Sequence, residues 1–426
     1  MGRDSFQKVR GTRDFYPDEL RQREWLFDHF RDVAARFAFE QVDAPVLEPL
    51  DLFIRKAGEE IVDQLYHFEL HDRHMALRPE FTPSLARMVQ ARAGGLRLPL
   101  RWFSLPQCWR YERMTRGRKR EHYQWNMDIW GEPGVGAEAE LIAACFQLFD
   151  AVGLDRQHVT MKVNSRALVE EALMAGPLAD RPDAFAPLCV IIDKIAKIGP
   201  DAVVEQLTAR DGLVAIDEGA ARDVVAMLQA GSLDAVSQLA PAGSPALVEI
   251  RQLFELLEAY GIADSVRFDA STVRGLAYYT GIVFEAFDSE GALRSICGGG
   301  RYDRLLETLG GAPMPAVGFG MGDVVLSELL TDKGLLPALS LEIDDVVFAF
   351  GEDERPAAVR LSERLRREGR RVELVLGSPR LKRVMGDADK SGASRVWLIG
   401  PDEAARGVAT VRELASGEQR EEKLSG

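Results

Sequence analysis

The hydrophobic residues near the N-terminus follow the period of a helix. Four of them recur at spacings of four, three and four: Leu26, Phe30, Val33 and Phe37. These spacings place them on one face of a helix. Pro17, followed by two acidic residues, is typical of a helix start, because proline fits the first turn and acids interact favourably with the positive end of the helix dipole. We therefore predict a helix from about Pro17 to about Phe39.

Between Leu65 and Leu77 the pattern changes to alternation, which predicts two strands joined by a polar turn. This hairpin contains half of the six histidines of the chain: His67, His71 and His74. Their spacing would align them on a helix and favour a zinc site. On a hairpin the same side chains diverge, so we predict exposed polar residues, with a metal site as the alternative.

Strand-like runs recur through the middle of the chain, separated by helical stretches such as Ala137–Val152. The runs are Arg101–Ser104, Gln107–Tyr111, Gln124–Trp130, His158–Val163, Ser265–Asp269 and Ile282–Phe287. Strands flanked by helices predict an α+β domain around a mainly antiparallel sheet. The stretch at about 165–255, rich in alanine, leucine and glutamate, has a helical period and predicts an all-α insertion.

After residues 335–337, short apolar runs alternate with helical patterns. The runs are Asp345–Phe350, Arg371–Leu376 and Arg395–Ile399, and the helical patterns are Ala357–Glu368 and Arg380–Lys390. Such alternation predicts βαβ units. We therefore expect a first domain at 1–335, which includes the insertion, and a separate small α/β domain at 341–426.

The charge of the 426-residue chain is unevenly distributed. The net charge is −14, which argues against a protein that coats nucleic acid without selectivity. Residues 97–120, however, contain eight basic side chains and a single acidic one, Glu112. A concentrated basic segment in an acidic protein indicates a local anion site.

The sequence has no apolar run of 18 residues that could span a membrane, and its N-terminal residues do not resemble a signal peptide. The four cysteines are widely spaced, without the spacing of metal ligands: Cys108, Cys145, Cys189 and Cys297. We expect a cytoplasmic protein with reduced, mostly buried thiols.

The first segment with candidate chemistry runs from Arg110 to Asp128, two predicted strands joined by the basic loop 114–119. Guanidinium groups bind phosphate oxygens through paired hydrogen bonds and stay charged. Arg110, held by the sheet, could therefore stabilise charge that develops on an α-phosphate. The alternative is a solvated hairpin with scattered arginines.

Two further segments carry polar or aromatic candidates. In Leu77–Pro83, Glu80 and Thr82 can accept hydrogen bonds from a substrate ammonium group, although Thr82 before a proline is also typical of a helix cap. In Val273–Gly281 two adjacent tyrosines suit a pocket for a flat polar side chain. If that segment is a strand, they point to opposite faces, and at most one needs to line a site.

The last two segments are rich in glycine. Cys297–Asp303 contains three consecutive glycines, which permit close approach of the backbone to a ligand. Gly318–Asp323 alternates glycine with other residues before the helical run Val324–Leu330, so its amides could face an anion at a helix N-terminus. The alternative for this segment is a tight strand–helix junction capped by Asp323.

Together these segments resemble the motifs of histidyl-tRNA synthetases, which are class II aminoacyl-tRNA synthetases. Arg10–Pro17 looks like the N-terminal signature of the family, Arg110–Asp128 resembles class II motif 2, and Gly318–Leu330 resembles motif 3. Arg274–Gly281 and Gly298–Asp303 resemble the two histidine-specific motifs. The forms GLAYYTG and GFGMGD resemble those of a sub-lineage that includes plant organellar-type enzymes.

The resemblance implies a class II antiparallel sheet with flanking helices and a C-terminal α/β domain that binds the anticodon. The implied substrates are L-histidine, tRNA(His) and ATP, with Mg²⁺ accompanying ATP and no metal held by protein ligands alone. The implied activity is ATP-dependent formation of histidyl-adenylate and transfer of histidine to the 3′ end of the tRNA. A homodimer is also implied.

The resemblance also implies roles for individual residues. Arg110 and Arg274 would be catalytic, near the α-phosphate. The residues implied to bind histidine are Glu80, Phe81, Thr82, Arg110, Gln124, Asp128, Arg274, Tyr278 and Tyr279. The residues implied to bind ATP are Arg110, Glu112, Arg118, Gly298, Gly299, Gly300, Gly320 and Gly322.

The sequence departs from the family pattern at three places. Ala277 stands where the family usually has Asp, and Asp128 where it usually has Glu. Motif 3 normally supplies an arginine to ATP soon after its glycines, but the stretch 323–326 contains none. Our hypothesis from the sequence is that Arg301 or Arg304 replaces it.

One other function is compatible with the resemblance. A histidine-binding regulatory subunit of ATP phosphoribosyltransferase keeps the catalytic fold but charges no tRNA. Such regulators typically lack the C-terminal domain predicted at 341–426, whose segment Ala388–Ala393 resembles the synthetase anticodon-binding domain. The presence of Arg110, Glu112 and Arg274 also favours the enzyme.

Overall fold

The computed structural model describes residues 6–57, 59–229, 232–273, 278–291 and 293–424. The chain divides into two compact units, Met1–Leu336 and Pro337–Gly426, and each has a hydrophobic core of its own. No helix in the described part of the chain combines the length and apolar character needed to cross a membrane.

The first part of the N-terminal unit mixes helices and strands. In chain order its elements are α1 (Pro17–Arg36), β1 (Glu40–Gln41), β2 (Leu47–Pro49), α2 (Leu50–Ala57), β3 (His67–Leu70), β4 (Arg73–Leu77), α3 (Thr82–Arg92), β5 (Leu100–Ser104), β6 (Gln107–Trp109), β7 (Glu121–Trp130), α4 (Gly136–Ala151) and β8 (Val159–Ser165). Of the predicted apolar face, Leu26, Phe30 and Val33 are buried in α1, which ends at Arg36 rather than near Phe39. Phe30 stacks on Trp125 of β7 with the ring centroids 5.1 Å apart. The predicted hairpin is β3–β4.

After β8 the chain forms the helical insertion that the sequence predicts. Its helices are α5 (Arg166–Met174), α6 (Phe185–Ile192), α7 (Ile195–Ile198), α8 (Pro200–Thr208), α9 (Glu218–Gln229), α10 (Leu233–Ser237) and α11 (Pro245–Ala259). Their apolar residues join the core of the N-terminal unit, so the insertion is packed onto the sheet rather than separate from it.

The chain then returns to the sheet and completes the N-terminal unit. The elements are β9 (Val266–Phe268), β10 (Ile282–Asp288), β11 (Cys297–Arg301), α12 (Leu305–Thr308), β12 (Ala316–Gly322) and α13 (Asp323–Asp332). Both glycine-rich segments, which had no apolar alternation to identify them, are strands of the sheet.

Nine strands form the main sheet, in the order β1-β5-β7-β12-β11-β10-β8-β9, with β6 paired to one end of β7. Neighbours are antiparallel except at the two edges, where β1 and β9 run parallel to β5 and β8. The central strands bring distant segments together: Gly298 lies opposite Gly320 and Glu285, and Gly318 lies opposite Asp128. This is the mainly antiparallel α+β architecture that the sequence predicts.

The C-terminal unit is a small α/β fold. Its elements are β13 (Asp345–Ala349), α14 (Arg355–Arg367), β14 (Val372–Leu374), α15 (Leu381–Lys390), β15 (Arg395–Ile399), α16 (Pro401–Arg406), β16 (Val408–Glu413) and β17 (Gln419–Lys423). The sheet order is β14-β13-β15-β16-β17. The first three strands are parallel, as βαβ alternation predicts. The sequence did not predict β16 and β17, and β17 is polar and largely exposed, without an apolar run.

Candidate active site

Arg110 is held from two directions at the end of β6. Its backbone amide donates a hydrogen bond to the carbonyl oxygen of Arg120, 2.9 Å away, which continues the β6–β7 ladder. Its side-chain Nε donates to the carbonyl oxygen of Pro79 at 3.0 Å. The guanidinium group is therefore positioned by backbone atoms of two segments, as a residue that binds a reacting phosphate requires.

Arg110 lies at the boundary of two cavities. The first, which we call the basic cavity, has a volume of about 160 Å³. Its charged lining residues are Arg110, Glu112, Arg118, Lys119, Glu285 and Arg294, and the rest of its lining includes Gly117, His122, Gln124, Gly298, Gly320, Gly322 and Val325. Among the described residues, the basic side chains of this lining outnumber the acidic ones by four to two. Such an excess of positive charge suits a polyanion.

Glu112 and Arg118 form an ion pair across the loop that follows β6, with an Nε–Oε2 distance of 3.1 Å. The pair joins the two sides of the loop, and its guanidinium and carboxylate groups both line the basic cavity. A nucleotide with an attached divalent cation offers partners for both charges.

His122 is neutral in the basic cavity. Burial, reinforced by the positive charges of Arg110, Arg13 and Arg294, lowers the pKa of its imidazole to about 3. A neutral aromatic ring beside a cationic cavity can stack on a nucleobase without adding charge. His122 was not among the site residues predicted from the sequence.

The second cavity, which we call the tyrosine cavity, has a volume of about 70 Å³. It is lined by Glu80, Thr82, Arg110, Gln124, Asn126, Tyr278, Tyr279, Gly298, Tyr302, Gly318, Phe319 and Gly320. It shares Arg110, Gln124, Gly298 and Gly320 with the basic cavity. The two cavities therefore adjoin, and two molecules bound one in each cavity would meet at Arg110.

Tyr278 and Tyr279 both line the tyrosine cavity, with ring centroids 4.7 Å apart. They lie outside the strands, so the alternation expected of adjacent residues in a strand does not apply to them. Arg274 and Ala277, singled out from the sequence, lie outside the described residues.

Asp128 forms a hydrogen bond with Tyr302, whose hydroxyl donates to the carboxylate Oδ1. Both side chains are buried, and burial together with the charge of Asp128 raises the pKa of the Tyr302 hydroxyl well above its usual value. Tyr302 lines the tyrosine cavity, whereas Asp128 does not line it and is linked to it through this hydrogen bond. The pair provides a buried polar end for the cavity.

The three consecutive glycines of β11 do not have the same surroundings. Gly298 lines both cavities. A Cβ at Gly300 would lie only 2.8 Å from the Ile282 carbonyl oxygen, and one at Gly299 would overlap Phe319 and Phe284. Neither Gly299 nor Gly300 lines the two cavities. Tight packing between strands explains why those two positions are glycine.

The segment before α3 contributes to the tyrosine cavity in a different way from a helix cap. α3 begins at Thr82, and the preceding residue, Phe81, makes no side-chain capping hydrogen bond. Glu80 and Thr82 line the cavity, whereas Phe81 is buried in a neighbouring apolar cluster. The segment thus places two polar side chains in the site and anchors them through Phe81.

Asp323 opens the stretch 323–326, which lacks the arginine that motif 3 normally supplies to ATP. Its side chain is buried and binds protein groups. It accepts hydrogen bonds from Arg13 Nη1 at 2.9 Å and from the Tyr123 amide at 2.9 Å. Burial raises the pKa of its carboxyl group, and the charge of Arg13 opposes this increase. Asp323 therefore fastens the start of α13 to β7.

The hypothesis that Arg301 or Arg304 replaces the missing arginine does not agree with the structure. Arg301 is buried and forms an ion pair with Glu138, with an Nε–Oε1 distance of 2.6 Å. Arg304 is exposed and pairs with Glu307 at 3.2 Å, beside a different cavity. Neither arginine lines the basic cavity, and each forms an ion pair with a glutamate outside it.

Sequence reasoning missed several lining residues of the two cavities, among them His122, Asn126, Glu285 and Arg294. A signal existed for the first two, because positions 122, 124, 126 and 128 of β7 lie on one face of a strand. Within the described residues, Asn126 Oδ1 is buried without a hydrogen-bond partner. No local pattern marked Arg294, which belongs to the loop between β10 and β11.

A further cavity of the N-terminal unit, about 1000 Å³, lies between the insertion and the edge of the sheet. Its lining is mostly apolar, for example Ile195, Leu228 and Phe254, and includes Lys162, which pairs with Asp269 at 2.8 Å. None of the residues selected from the sequence lines it. All four cysteines are free and buried, as expected.

Comparison with known families gives two matches that cover most of the chain. The sequence model of the family described as histidyl-tRNA synthetase matches residues 11–323. The model described as anticodon binding domain matches residues 345–425.

Individual proteins and structures agree with these matches. The chain is 50% identical over 417 residues to the chloroplastic/mitochondrial histidine–tRNA ligase of Arabidopsis thaliana, covering 98% of this chain and 85% of that protein. It is 41% identical over 421 residues to the histidine–tRNA ligase of Opitutus terrae, covering 97% and 94% of the two chains. The crystal structure of histidyl-tRNA synthetase from Nostoc sp. PCC 7120 has a TM-score of 0.77 at 26% identity and covers 98% of this chain and 97% of that one.

Proposed function

The chain belongs to the histidyl-tRNA synthetase family, and we propose from its geometry how it acts as a histidine–tRNA ligase. The reaction has two steps: activation of L-histidine with ATP, and transfer of histidine to the 3′ end of tRNA(His). The observation that carries the assignment of the site is that the basic cavity and the tyrosine cavity adjoin at Arg110. A nucleotide in the first and an amino acid in the second would place carboxylate and α-phosphate beside the same guanidinium.

In the first step, a carboxylate oxygen of histidine attacks the α-phosphorus of ATP. The bond between the α-phosphorus and the oxygen that bridges to the β-phosphate breaks, and pyrophosphate leaves. Arg110 would neutralise charge on the α-phosphate, and its two backbone-directed hydrogen bonds would hold it there. In the second step, the terminal 3′-hydroxyl of the tRNA attacks the acyl carbon and AMP leaves. Positioning and charge neutralisation carry both steps in this scheme.

The tyrosine cavity has the polar groups that recognition of histidine requires. Glu80 and Thr82 would accept hydrogen bonds from the α-ammonium group. Gln124, the two tyrosines and the Asp128–Tyr302 pair would surround the imidazole. Polar partners reject an isosteric apolar side chain strongly, because the buried groups would be left unpaired.

The basic cavity would hold ATP. Arg118 and Glu112 would contact the nucleotide from the loop after β6, and His122 would lie against the base. Mg²⁺ would arrive with the phosphates. The carboxylates of Glu112 and Glu285 fit such an ion, since magnesium is usually bound by one or two carboxylates together with phosphate oxygens and water.

Histidine-dependent exchange between ATP and pyrophosphate tests the first step, and charging of tRNA(His) tests the second. We expect both activities in the purified chain. Lack of exchange above background would overturn the assignment of the site, and exchange without charging would limit the activity to the first step.

The regulatory alternative is disfavoured by the C-terminal unit, since residues 345–425 match an anticodon binding domain. A homodimer is a further proposal, supported by the family resemblance, and the molar mass in solution from light scattering would test it: a mass near 47 kDa, that of one chain, would contradict it. A cytoplasmic location stays a prediction, and the Arabidopsis relative is named as an organellar enzyme.

A further inference from the structure

Arg294 is a cation of the basic cavity for which the described residues supply no ion-pair partner. It lies three residues before β11, in a loop that no motif of the sequence analysis includes. Across the described residues, none forms an ion pair or side-chain hydrogen bond with its guanidinium group, in contrast to Arg118, Arg301 and Arg304. Since the basic side chains of the cavity outnumber the acidic ones, an anion beside Arg294 and the two other guanidinium groups would be favoured.

The positive charges of the cavity act on the Arg294 guanidinium group. The side chain is open to solvent in the cavity, yet desolvation by the surrounding protein and the charges of Arg118 and Arg110 lower its pKa. Glu112 and Glu285 oppose this decrease without reversing it. The guanidinium group nevertheless remains protonated at any physiological pH.

The position of Arg294 in space is next to the start of α13. A Cβ at Gly117 would lie 3.3 Å from Val325 Cγ2 and 3.6 Å from Arg294 Cγ, so the two side chains flank the same point of the loop after β6. Val325 belongs to the stretch 323–326 that contains no arginine. Arg294 thus brings a guanidinium group to this wall of the cavity from a different part of the chain.

The two cavities indicate which part of the nucleotide Arg294 would meet. Arg110 lines both cavities and marks the α-phosphate, whereas Arg294 lines only the basic cavity, together with Arg118 and Lys119. We propose that Arg294 binds the β- and γ-phosphates of ATP, the part that leaves as pyrophosphate. This inference rests on the proposed function of the site and assigns Arg294 the task that the arginine-free motif 3 leaves open.

Arg294→Gln tests the proposal through substrates that do or do not contain these phosphates. In the exchange reaction the KM for ATP and the KM for pyrophosphate should each rise about tenfold, which corresponds to about 1.4 kcal/mol, because a charge-assisted contact is lost. The KM for histidine should change less than twofold. Binding of a non-hydrolysable histidyl-adenylate analogue, which has no β- or γ-phosphate, should also change less than twofold.

Two further variants serve as controls. Arg294→Lys retains the charge but not the paired hydrogen bonds, so its KM for ATP should lie between those of the wild type and Arg294→Gln. Arg116→Gln removes an arginine of the neighbouring loop that pairs with Glu328 at 3.2 Å on the exposed surface, and its KM values should equal those of the wild type. Since Arg294 forms no ion pair with any residue that the structure describes, the melting temperature of Arg294→Gln should match that of the wild type.

The outcomes separate the two proposals. Wild-type protein without exchange activity would overturn the proposed function itself. An active wild type with unchanged KM values for ATP and pyrophosphate in Arg294→Gln would overturn only the role of Arg294. If the adenylate analogue loses as much affinity as ATP, Arg294 acts on the adenosine or α-phosphate, and its assignment to the leaving phosphates is wrong.

Discussion

Gly318, Asp128 and Tyr302 form a closely packed group at the buried end of the tyrosine cavity. Gly318 lies opposite Asp128 in the pairing of β12 with β7. A Cβ at position 318 would overlap the Asp128 carboxylate and lie 2.7 Å from the Tyr302 hydroxyl oxygen. The hydrogen bond between Asp128 and Tyr302 therefore exists because position 318 has no side chain.

Gly318→Ala should disturb this pair and weaken histidine binding. We expect the KM for histidine to rise at least about tenfold while the KM for ATP changes less than twofold, because the Cβ displaces groups of the tyrosine cavity only. Overpacking should also destabilise the fold by about 1–3 kcal/mol. Gly136→Ala is the matched control, since a Cβ there meets no atom within 4 Å and alanine suits the first residue of α4. An unchanged KM for histidine in Gly318→Ala would contradict this account.

His122 should make stability depend on pH. Its pKa is lowered to about 3, whereas imidazole in an unfolded chain has a pKa of about 6.5. Between these values the unfolded chain binds a proton that the folded chain does not. The free energy of unfolding therefore decreases as the pH falls below about 6.5, by up to about 1.4 kcal/mol per pH unit from this residue.

His122→Phe removes the titrating group and keeps an aromatic ring. Between pH 7.5 and pH 5.0 the melting temperature of the wild type should fall more than that of the variant, measured by circular dichroism in matched buffers. Equal decreases would mean that His122 in the folded protein takes up its proton over the same pH range as in the unfolded chain. Exchange activity of the variant should stay within about fivefold of the wild type if the ring serves to stack on the base.

At the scale of elements, the segment before α1 is tied to the site although it is neither helix nor strand. The carbonyl oxygen of Gly11 accepts a hydrogen bond from the Arg120 amide at 2.9 Å. Arg13 pairs with Glu121 at 2.7 Å and with Asp323 at 2.9 Å, and both carboxylates are buried. One arginine thus joins the first residue of β7 to the first residue of α13. This gives the N-terminal signature a structural task beside the active site.

Arg13→Gln should destabilise the protein by about 3 kcal/mol, because it leaves two buried carboxylates without a counter-charge. The melting temperature should fall by roughly 5 °C. Arg31→Gln, which removes an exposed pair with Asp28 at 2.7 Å, should change it little.

The loss of folding stability in Arg13→Gln should become larger as the pH rises. Burial already raises the pKa of Asp323, and without Arg13 the folded protein would bind its proton more tightly still. A group whose pKa is raised in the folded state contributes stability at low pH and loses it as the pH rises through the folded pKa. The difference from the wild type should therefore be larger at pH 8 than at pH 5, and the opposite trend would contradict a role of Arg13 as counter-charge.

At the scale of the whole molecule, the two units divide the task. The residues of both cavities belong to the unit Met1–Leu336, and the unit Pro337–Gly426 has separate apolar clusters around Val347 and Val346. On the proposed function, histidine activation would therefore need only the first unit. The second unit, which matches an anticodon binding domain, would serve recognition of the tRNA.

A chain that ends at Leu336 should keep histidine-dependent exchange at more than roughly a tenth of the full-length rate. Its kcat/KM for charging should fall at least about 100-fold, which corresponds to a loss of about 2.7 kcal/mol in transition-state binding. Far-UV circular dichroism checks that the shortened chain is folded. A folded shortened chain without exchange activity would contradict the assignment of activation to the first unit alone.

Much of the fold could be predicted from local patterns. The apolar spacing of α1, the alternation of β3 and β4, the helical period of the insertion and the βαβ alternation after Asp345 are all present in the structure. The missed strands include β11, β12, β16 and β17. β11 and β12 are rich in glycine and β17 is polar, so the strand conformation of these three depends on pairing with neighbours rather than on an apolar pattern.

The sequence by itself determined the type of most elements, the identity of the motifs and the concentration of arginines after β6, because these depend on neighbours a few positions apart. Only the tertiary structure decided which distant side chains share a cavity. The order β7-β12-β11-β10 brings Glu285 and Arg294 beside Arg118. In the same fold Arg13 contacts Asp323, which is 310 positions away along the chain. That order results from packing the whole sheet with its helices, so no local spacing along the chain records it.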